Sequence, residues 1–245
     1  MRDPLELTRN RTGILTAPDM GKEMIENAEE LSPPGGAEDL PLHELRADDV
    51  QDVEPAGTMP PIRLDSANLG APSKSTAVLL DALGARLAFE RTGTRIYEAL
   101  CTKVRASGAQ DGGPTEQDLL EIWNDELAHF QLLHETIVRL GGDPTAVTPS
   151  ANVEATASLG VIQVAADPRL TLLESLHASL LAELGDRDGW EILIGLVDAA
   201  GEADLVEPFC ACLAAEERHL ASVRSWISVM KERQIQDGFA ARQPP

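Results

Sequence analysis

The sequence carries one four-residue pattern twice. Glu126-Leu127-Ala128-His129 and Glu216-Glu217-Arg218-His219 both read Glu-x-x-His. On an α-helix, three residues are about 300° of rotation and about 4.5 Å of rise, so a Glu and a His at that spacing project from nearly one face, one turn apart. Both can reach the same metal ion. A single copy arises readily by chance and often sits on a solvated face. Two copies, each following a long apolar helix with its own inward Glu, constrain the fold far more.

Those two preceding helices align with each other. Leu79-Leu80-Asp81-Ala82-Leu83-Gly84-Ala85-Arg86-Leu87-Ala88-Phe89-Glu90 runs in step with Leu172-Leu173-Glu174-Ser175-Leu176-His177-Ala178-Ser179-Leu180-Leu181-Ala182-Glu183. An aromatic stands seven residues past each Glu (Tyr97 and Trp190), and an acid follows it (Glu98 and Glu191). The offset is 93 residues at the single Glu and 90 at the Glu-x-x-His pattern. The chain therefore reads as a duplicated helix pair, with three residues of difference absorbed in a loop.

Start and stop signals place four helices, at about 74–107, 115–140, 168–199 and 202–236. Thr115 is the expected cap of the second, after Pro114, and Gly141-Gly142 its stop. The link 141–167 is too long for a hairpin turn. The fold class expected is all-α: two antiparallel helical hairpins joined by one long crossover in a four-helix bundle over 73–236. Apolar periodicity tests whether the acids face inward. Leu83, Leu87, Glu90, Thr94 and Tyr97 follow a 4-3-4-3 step, as do Leu176, Leu180, Glu183, Arg187 and Trp190. Ile122, Glu126, His129, Leu133 and Ile137 form the third stripe; Phe209, Cys212, Glu216, His219, Val223 and Trp226 form the fourth. Each acid or His interrupts an apolar stripe. Turning those stripes to solvent would strand Leu and Trp outside. Four carboxylates on one buried seam are costly to ionise unpaired, and a pair of dications offsets that cost. Arg187 fits its stripe poorly and is expected to snorkel or pair with an acid.

Over about 74–236 the pattern resembles the ferritin-like di-metal carboxylate superfamily, whose site combines two single Glu residues with two Glu-x-x-His motifs in a bundle core. Within it the chain is similar to bacterial ferritin-like domain proteins, on Ala88-Phe89-Glu90-Arg91-Thr92-Gly93 and Ala182-Glu183-Leu184-Gly185-Asp186. The resemblance implies that Glu90 and Glu183 are terminal ligands. It implies that Glu126 and Glu216 bridge two metals and that His129 and His219 each hold one. Tyr97 and Trp190 would lie just outside the ligands. Asp125 is placed to orient a His, and its counterpart Ala215 is not, so the two metal positions need not be equivalent. Glu174-x-x-His177 and His134 lie off the ligand face and are expected at the surface. Cys212 is expected as a small core residue rather than a ligand.

The cofactors implied are two iron ions, with manganese as the alternative, because Glu and His suit both metals. The first reading is a non-haem di-iron oxidoreductase acting on dioxygen, peroxide or iron(II). The others are an iron-binding or storage-related protein, a di-manganese catalase, and an interaction module without turnover. A ferritin cage would need a fifth helix after the fourth, and 236–245 leave no room for one. The net charge of −21 argues against a nucleic-acid partner. No run of apolar residues is long enough to span a membrane, and Met1-Arg2-Asp3-Pro4 opens no secretory signal. Three cysteines without a Cys-x-x-Cys exclude a rubredoxin-type site and make the cytoplasm the expected compartment. Residues 1–72 read as an acidic, Pro-rich tail with a short helix over 18–31 that packs on the bundle or docks a protein partner. Residues 237–245 are a C-terminal tail, and a homodimer is the expected assembly.

Overall fold

The computed structural model describes residues 74–240 together with Glu26. The expected tail and the helix over 18–31 lie outside the described residues, except Glu26, which is helical and exposed. The described residues form helices α1 (Lys74–Ser107), α2 (Glu116–Arg139), α3 (Pro149–Ala166), α4 (Leu172–Ala200) and α5 (Val206–Ala240), with a 3-10 turn at Ala203–Leu205. No strand occurs among the described residues, and none of their helices is long and apolar enough to cross a membrane.

The helix starts follow from local chemistry. Thr115 and Asp118 form a reciprocal capping box at α2, and Thr171 and Glu174 form another at α4. Each satisfies backbone N–H groups that a helix leaves orphaned at its first turn. The second box moves the start of α4 from the expected 168 to Leu172, and it accounts for Glu174 as a cap. Gly201, at φ 83°, ends α4 in the left-handed region that a side chain resists. The 3-10 turn delays α5 to Val206, and the helix runs on to Ala240 where a tail was expected from 237.

The crossover differs most from the sequence reading. It is not an irregular link, because residues 149–166 form α3, capped by Thr148 with Pro149 in the first turn. Helix α3 packs against α1 and α4. Its buried residues are Ala151, Ser158 and Ala165, while Val153, Leu159 and Val164 are exposed. The buried face is thus made of small residues, so no apolar stripe marks it. Small residues let two helix backbones approach closely: Ser158 Oγ lies 3.4 Å from Thr92 Oγ1, and a Cβ on Gly84 would lie 2.9 Å from Thr148 Oγ1.

Two apolar clusters fill the bundle. One joins Leu80 and Leu83 of α1, Leu133 and Ile137 of α2, Val197 of α4 and Phe209 of α5. The other joins Leu100 and Val104 of α1, Leu119 of α2, Leu172 and Leu176 of α4, and Val223 and Ile227 of α5. The start of α1 therefore meets the ends of α2 and α4 and the start of α5, which makes α1 antiparallel to both α2 and α4. Between the clusters lies a buried polar layer containing Glu90, Glu126, His129, Glu183, Glu216 and His219.

Thr148 Oγ1 accepts the Ala151 N–H (3.2 Å), and Asp81 accepts from Ser150 N (3.0 Å) and Ser150 Oγ (2.6 Å). The first caps α3, and the two to Asp81 pin its start to α1. Thr148→Ala is expected to cost about 1 kcal/mol, read as a lower midpoint in urea unfolding and faster amide exchange in the first turn of α3.

Candidate metal centre

The polar layer is assembled from four helices. Glu90 comes from α1, Glu126 and His129 from α2, Glu183 from α4, and Glu216 and His219 from α5. All six are buried, Glu90 and Glu216 completely. His129 Nδ1 lies 2.8 Å from Glu216 Oε1 and 3.5 Å from Glu90 Oε2. His219 Nδ1 lies 3.1 Å from Glu216 Oε2, 3.8 Å from Glu126 Oε1 and 3.9 Å from Glu183 Oε2. Glu216 thus offers one oxygen to each imidazole. Ligand-type atoms of Glu126, Glu183, Glu216 and His219 fall within 4.8 Å of one another, as do those of Glu90, His129 and Glu216. The two groups share Glu216, and the two rings stand 6.3 Å apart.

Hydrogen bonding within the layer is incomplete. Seven buried side-chain polar atoms among the described residues have no hydrogen-bond partner. Five belong to this cluster: Glu90 Oε2, Glu126 Oε2, His129 Nδ1, Glu183 Oε2 and Glu216 Oε1. The 2.8 Å approach of His129 to Glu216 is therefore a charge contact that is not aligned as a hydrogen bond. Buried polar atoms are normally paired, and each one left unpaired costs about 1–3 kcal/mol or more. Five such atoms in one place suit a cation that accepts several donors at once.

The outer partners fix orientation. The Tyr97 hydroxyl donates to Glu183 Oε1, leaving Oε2 to face His219. His219 Nε2 lies 3.0 Å from Asp125 Oδ2, on the side of the ring away from the carboxylate layer. With Nε2–H donated there, Nδ1 is left as the lone-pair nitrogen facing Glu126, Glu183 and Glu216. Trp190 makes an edge contact with His129, ring centroids 5.5 Å apart, and another with Phe209.

Gly93 and Gly189 make room that side chains would fill. A Cβ on Gly93 would lie 2.0 Å from Glu126 Oε2, and one on Gly189 would lie 1.9 Å from an Arg86 guanidinium nitrogen. The absence of a side chain is what seats each group.

Arg86 and Asp186 are buried in the same layer and were not found from the sequence. The 4-3 step on the stripe from Leu176 to Trp190 selected Arg187, whereas the buried path is Glu183, Asp186, Trp190. Arg187 is half-buried and pairs with Asp188 (2.7 Å) and Glu191 (3.0 Å). A 3-4 step from Glu183 would have selected Asp186. Arg86 sits one turn before Glu90, where a charged side chain read as solvent-facing. Of the other Glu and His residues weighed, Glu174 and His134 are exposed and His177 is half-buried. Cys212 is buried beside His129.

Comparison with known family models, characterised proteins and solved structures finds no match. The class the fold and site define is accordingly broad: a chain whose described residues are all-helical and hold a buried carboxylate–imidazole cluster that could bind metal.

Proton affinities follow the crowding. Burial, then the Glu216 charge, pushes Glu183 up to about 8. Burial followed by neighbouring carboxylates raises Glu126 well above its usual range, and burial raises Asp186 despite the opposing Arg86. Burial works against protonation of both imidazoles, yet Cys212, Glu216 and Glu90 raise His129, and Glu216, Glu183 and Asp125 raise His219. Burial opposes ionisation of Glu216 as well, but the two imidazoles bring it down to about 2.

A group whose pKa is higher folded than unfolded stabilises fully below its unfolded value, and that stability is lost as pH rises through the folded value. Glu216 has the opposite sign, but its contribution is complete above 4.5 and stays constant beyond it. The metal-free protein is expected to lose stability as pH rises from 4.5 to about 8, measured as a falling urea midpoint across that window. Saturating divalent metal is expected to flatten the decline. Gly93→Ala is expected to displace the Glu126 carboxylate and lower metal stoichiometry while helical circular dichroism stays unchanged, since Ala favours a helix by about 1 kcal/mol over Gly.

Proposed function

We propose that this chain is a ferritin-like di-metal carboxylate protein, and that it is a non-haem di-iron oxidoreductase acting on dioxygen, peroxide or iron(II). The observation that carries this reading is the set of five buried, unpartnered atoms of Glu90, Glu126, His129, Glu183 and Glu216, whose residues gather in groups of metal-ligating range. The support is physical and comes from the donor set. Carboxylate oxygen with imidazole nitrogen suits iron and manganese. Buried carboxylates held ionised against burial need compensating positive charge.

In this reading Glu90 and His129 would hold one metal, and Glu183 and His219 would hold the other. Glu216, with an oxygen toward each imidazole, would be shared between them. Glu126 lies 3.8 Å from His219 and also approaches Glu90, which suits the second bridge. A bound iron(II) pair would supply two electrons on oxidation to iron(III), enough to take dioxygen to peroxide or peroxide to water. The chain supplies the surroundings. Tyr97 holds the Glu183 carboxylate in one orientation, and Asp125 holds the His219 tautomer. The apolar clusters on both sides keep bulk water from the polar layer.

The test is metal analysis by plasma mass spectrometry after anaerobic loading with iron(II), beside a Glu126→Ala/Glu216→Ala double variant. Roughly two iron ions per chain are expected in the native protein, lost in the double variant, with oxidation of the loaded iron on adding peroxide or dioxygen. Selective retention of manganese with peroxide disproportionation would replace iron by manganese in the assignment. Absence of metal after loading would overturn it.

A further inference from the structure

The two halves of the cluster are related by the sequence duplication, but their surroundings are not alike. Glu90 and Glu183 occupy equivalent positions. Glu183 is held by a neutral phenol, through the Tyr97 hydroxyl on Oε1. Glu90 is held by a cation: Arg86 Nε donates to Glu90 Oε1 at 3.0 Å, and Arg86 Nη2 donates to Asp186 Oδ1 at 2.8 Å. The counterpart of Arg86 in the other half is Ser179, and the counterpart of Asp186 is Gly93. The pair is therefore an addition to the repeated design, with one partner from each half.

Arg86 is built into its place. It is 6% exposed, its guanidinium carbon lies 4.4 Å from the Phe89 ring centroid and 5.9 Å from that of Trp190, and Gly189 leaves room for its tip. A guanidinium stays charged under all ordinary conditions. The histidines differ in the same sense. His219 is backed by the Asp125 carboxylate at 3.0 Å, which strengthens it as a donor. His129 has the Cys212 side chain beside it and, among the described residues, no carboxylate in the place that Asp125 takes at His219.

Resting on the di-metal reading, the geometry points to Arg86 as a positioning residue that makes the two metal positions unequal. It fixes Glu90 so that only Oε2 faces His129, and it sets a permanent positive charge against the Glu90–His129 position. That position binds its metal more weakly and fills second. The Glu183–His219 position, with no guanidinium against its carboxylate among the described residues and with Asp125 behind its imidazole, fills first; the exposed Arg218 lies 3.8 Å from Asp125, on the far side from the carboxylate layer. Asp186 anchors the guanidinium, and it is itself within ligand range of Glu90 and Glu126. Loss of Arg86 therefore releases both Glu90 Oε1 and Asp186 as oxygen donors for that position.

The experiment is anaerobic calorimetric titration of the full chain with iron(II), for wild type, Arg86→Gln and Arg86→Lys. Wild type is expected to bind in two resolved steps. Arg86→Gln is expected to tighten the weaker step by about 10-fold or more, the opposite sign to the roughly 10–100-fold weakening that removal of a residue orienting a ligand usually brings. The stronger step is expected to stay in place, and Arg86→Lys, which keeps the charge, to retain the two-step profile. Crystals of wild type grown with one equivalent of manganese(II) should show anomalous density at Glu183–His219. Equal occupancy of both positions, or an unchanged weak step in Arg86→Gln, overturns this inference and leaves the di-metal reading standing. Failure of wild type to bind either metal overturns both. Should Arg86→Gln not fold, the wild-type anomalous density decides alone.

Discussion

The structure turns on the mutual repulsion of carboxylates inside an apolar bundle. Glu90, Glu126, Glu183, Glu216 and Asp186 lie in one buried layer, and Arg86 is the permanent cation among them. Unrelieved ionisation of such a group costs several kcal/mol per charge. The protein alone relieves it in part, by salt bridges to Arg86, by charge contacts between Glu216 and both imidazoles, and by raised proton affinity at Glu126, Glu183 and Asp186. Most of the neighbouring architecture serves to hold these groups together despite that cost. Two apolar clusters close the layer from either end, and the capping boxes of α2 and α4 start the helices that carry three of the ligand-type residues.

Placement within the layer depends on small residues. Gly93 lets the Glu126 carboxylate lie against α1, Gly189 lets Arg86 reach across to Asp186, and Gly84 lets the crossover helix cap at Thr148. A glycine inside a helix costs stability on propensity alone. At these three positions the cost is offset by contacts that a methyl group would prevent. Helix α3 follows the same logic on a larger scale, burying Ala151, Ser158 and Ala165 and using close approach in place of bulk.

Much of this was legible in the sequence. The duplicated Leu-rich stretches predicted the long helices, and α1 spans 74–107 as expected. The Glu-x-x-His spacing placed two pairs on inward faces, and the interrupted apolar stripes placed the six residues in one buried layer. Helix α3 was missed because a buried face of small residues has no hydrophobic period to read. Asp186 was missed because 3.6 residues per turn does not decide between a step of three and a step of four. Arg86 was missed because a charged residue in a helix is ordinarily solvated, and its burial is made tolerable by two buried carboxylates, Glu90 one turn on and Asp186 100 residues away.

What the sequence by itself determined is the periodic part: which helices form, which faces turn inward, and that acids and histidines share those faces. Periodicity is local, so one strand of text contains it. Tertiary structure alone decided which oxygen of each carboxylate is tied and which is left, that Glu216 faces both imidazoles, and that a guanidinium from one half of the duplication meets an aspartate from the other. Those outcomes depend on distances between helices, and such distances are set by the volumes that glycine, alanine and serine leave open where two backbones meet.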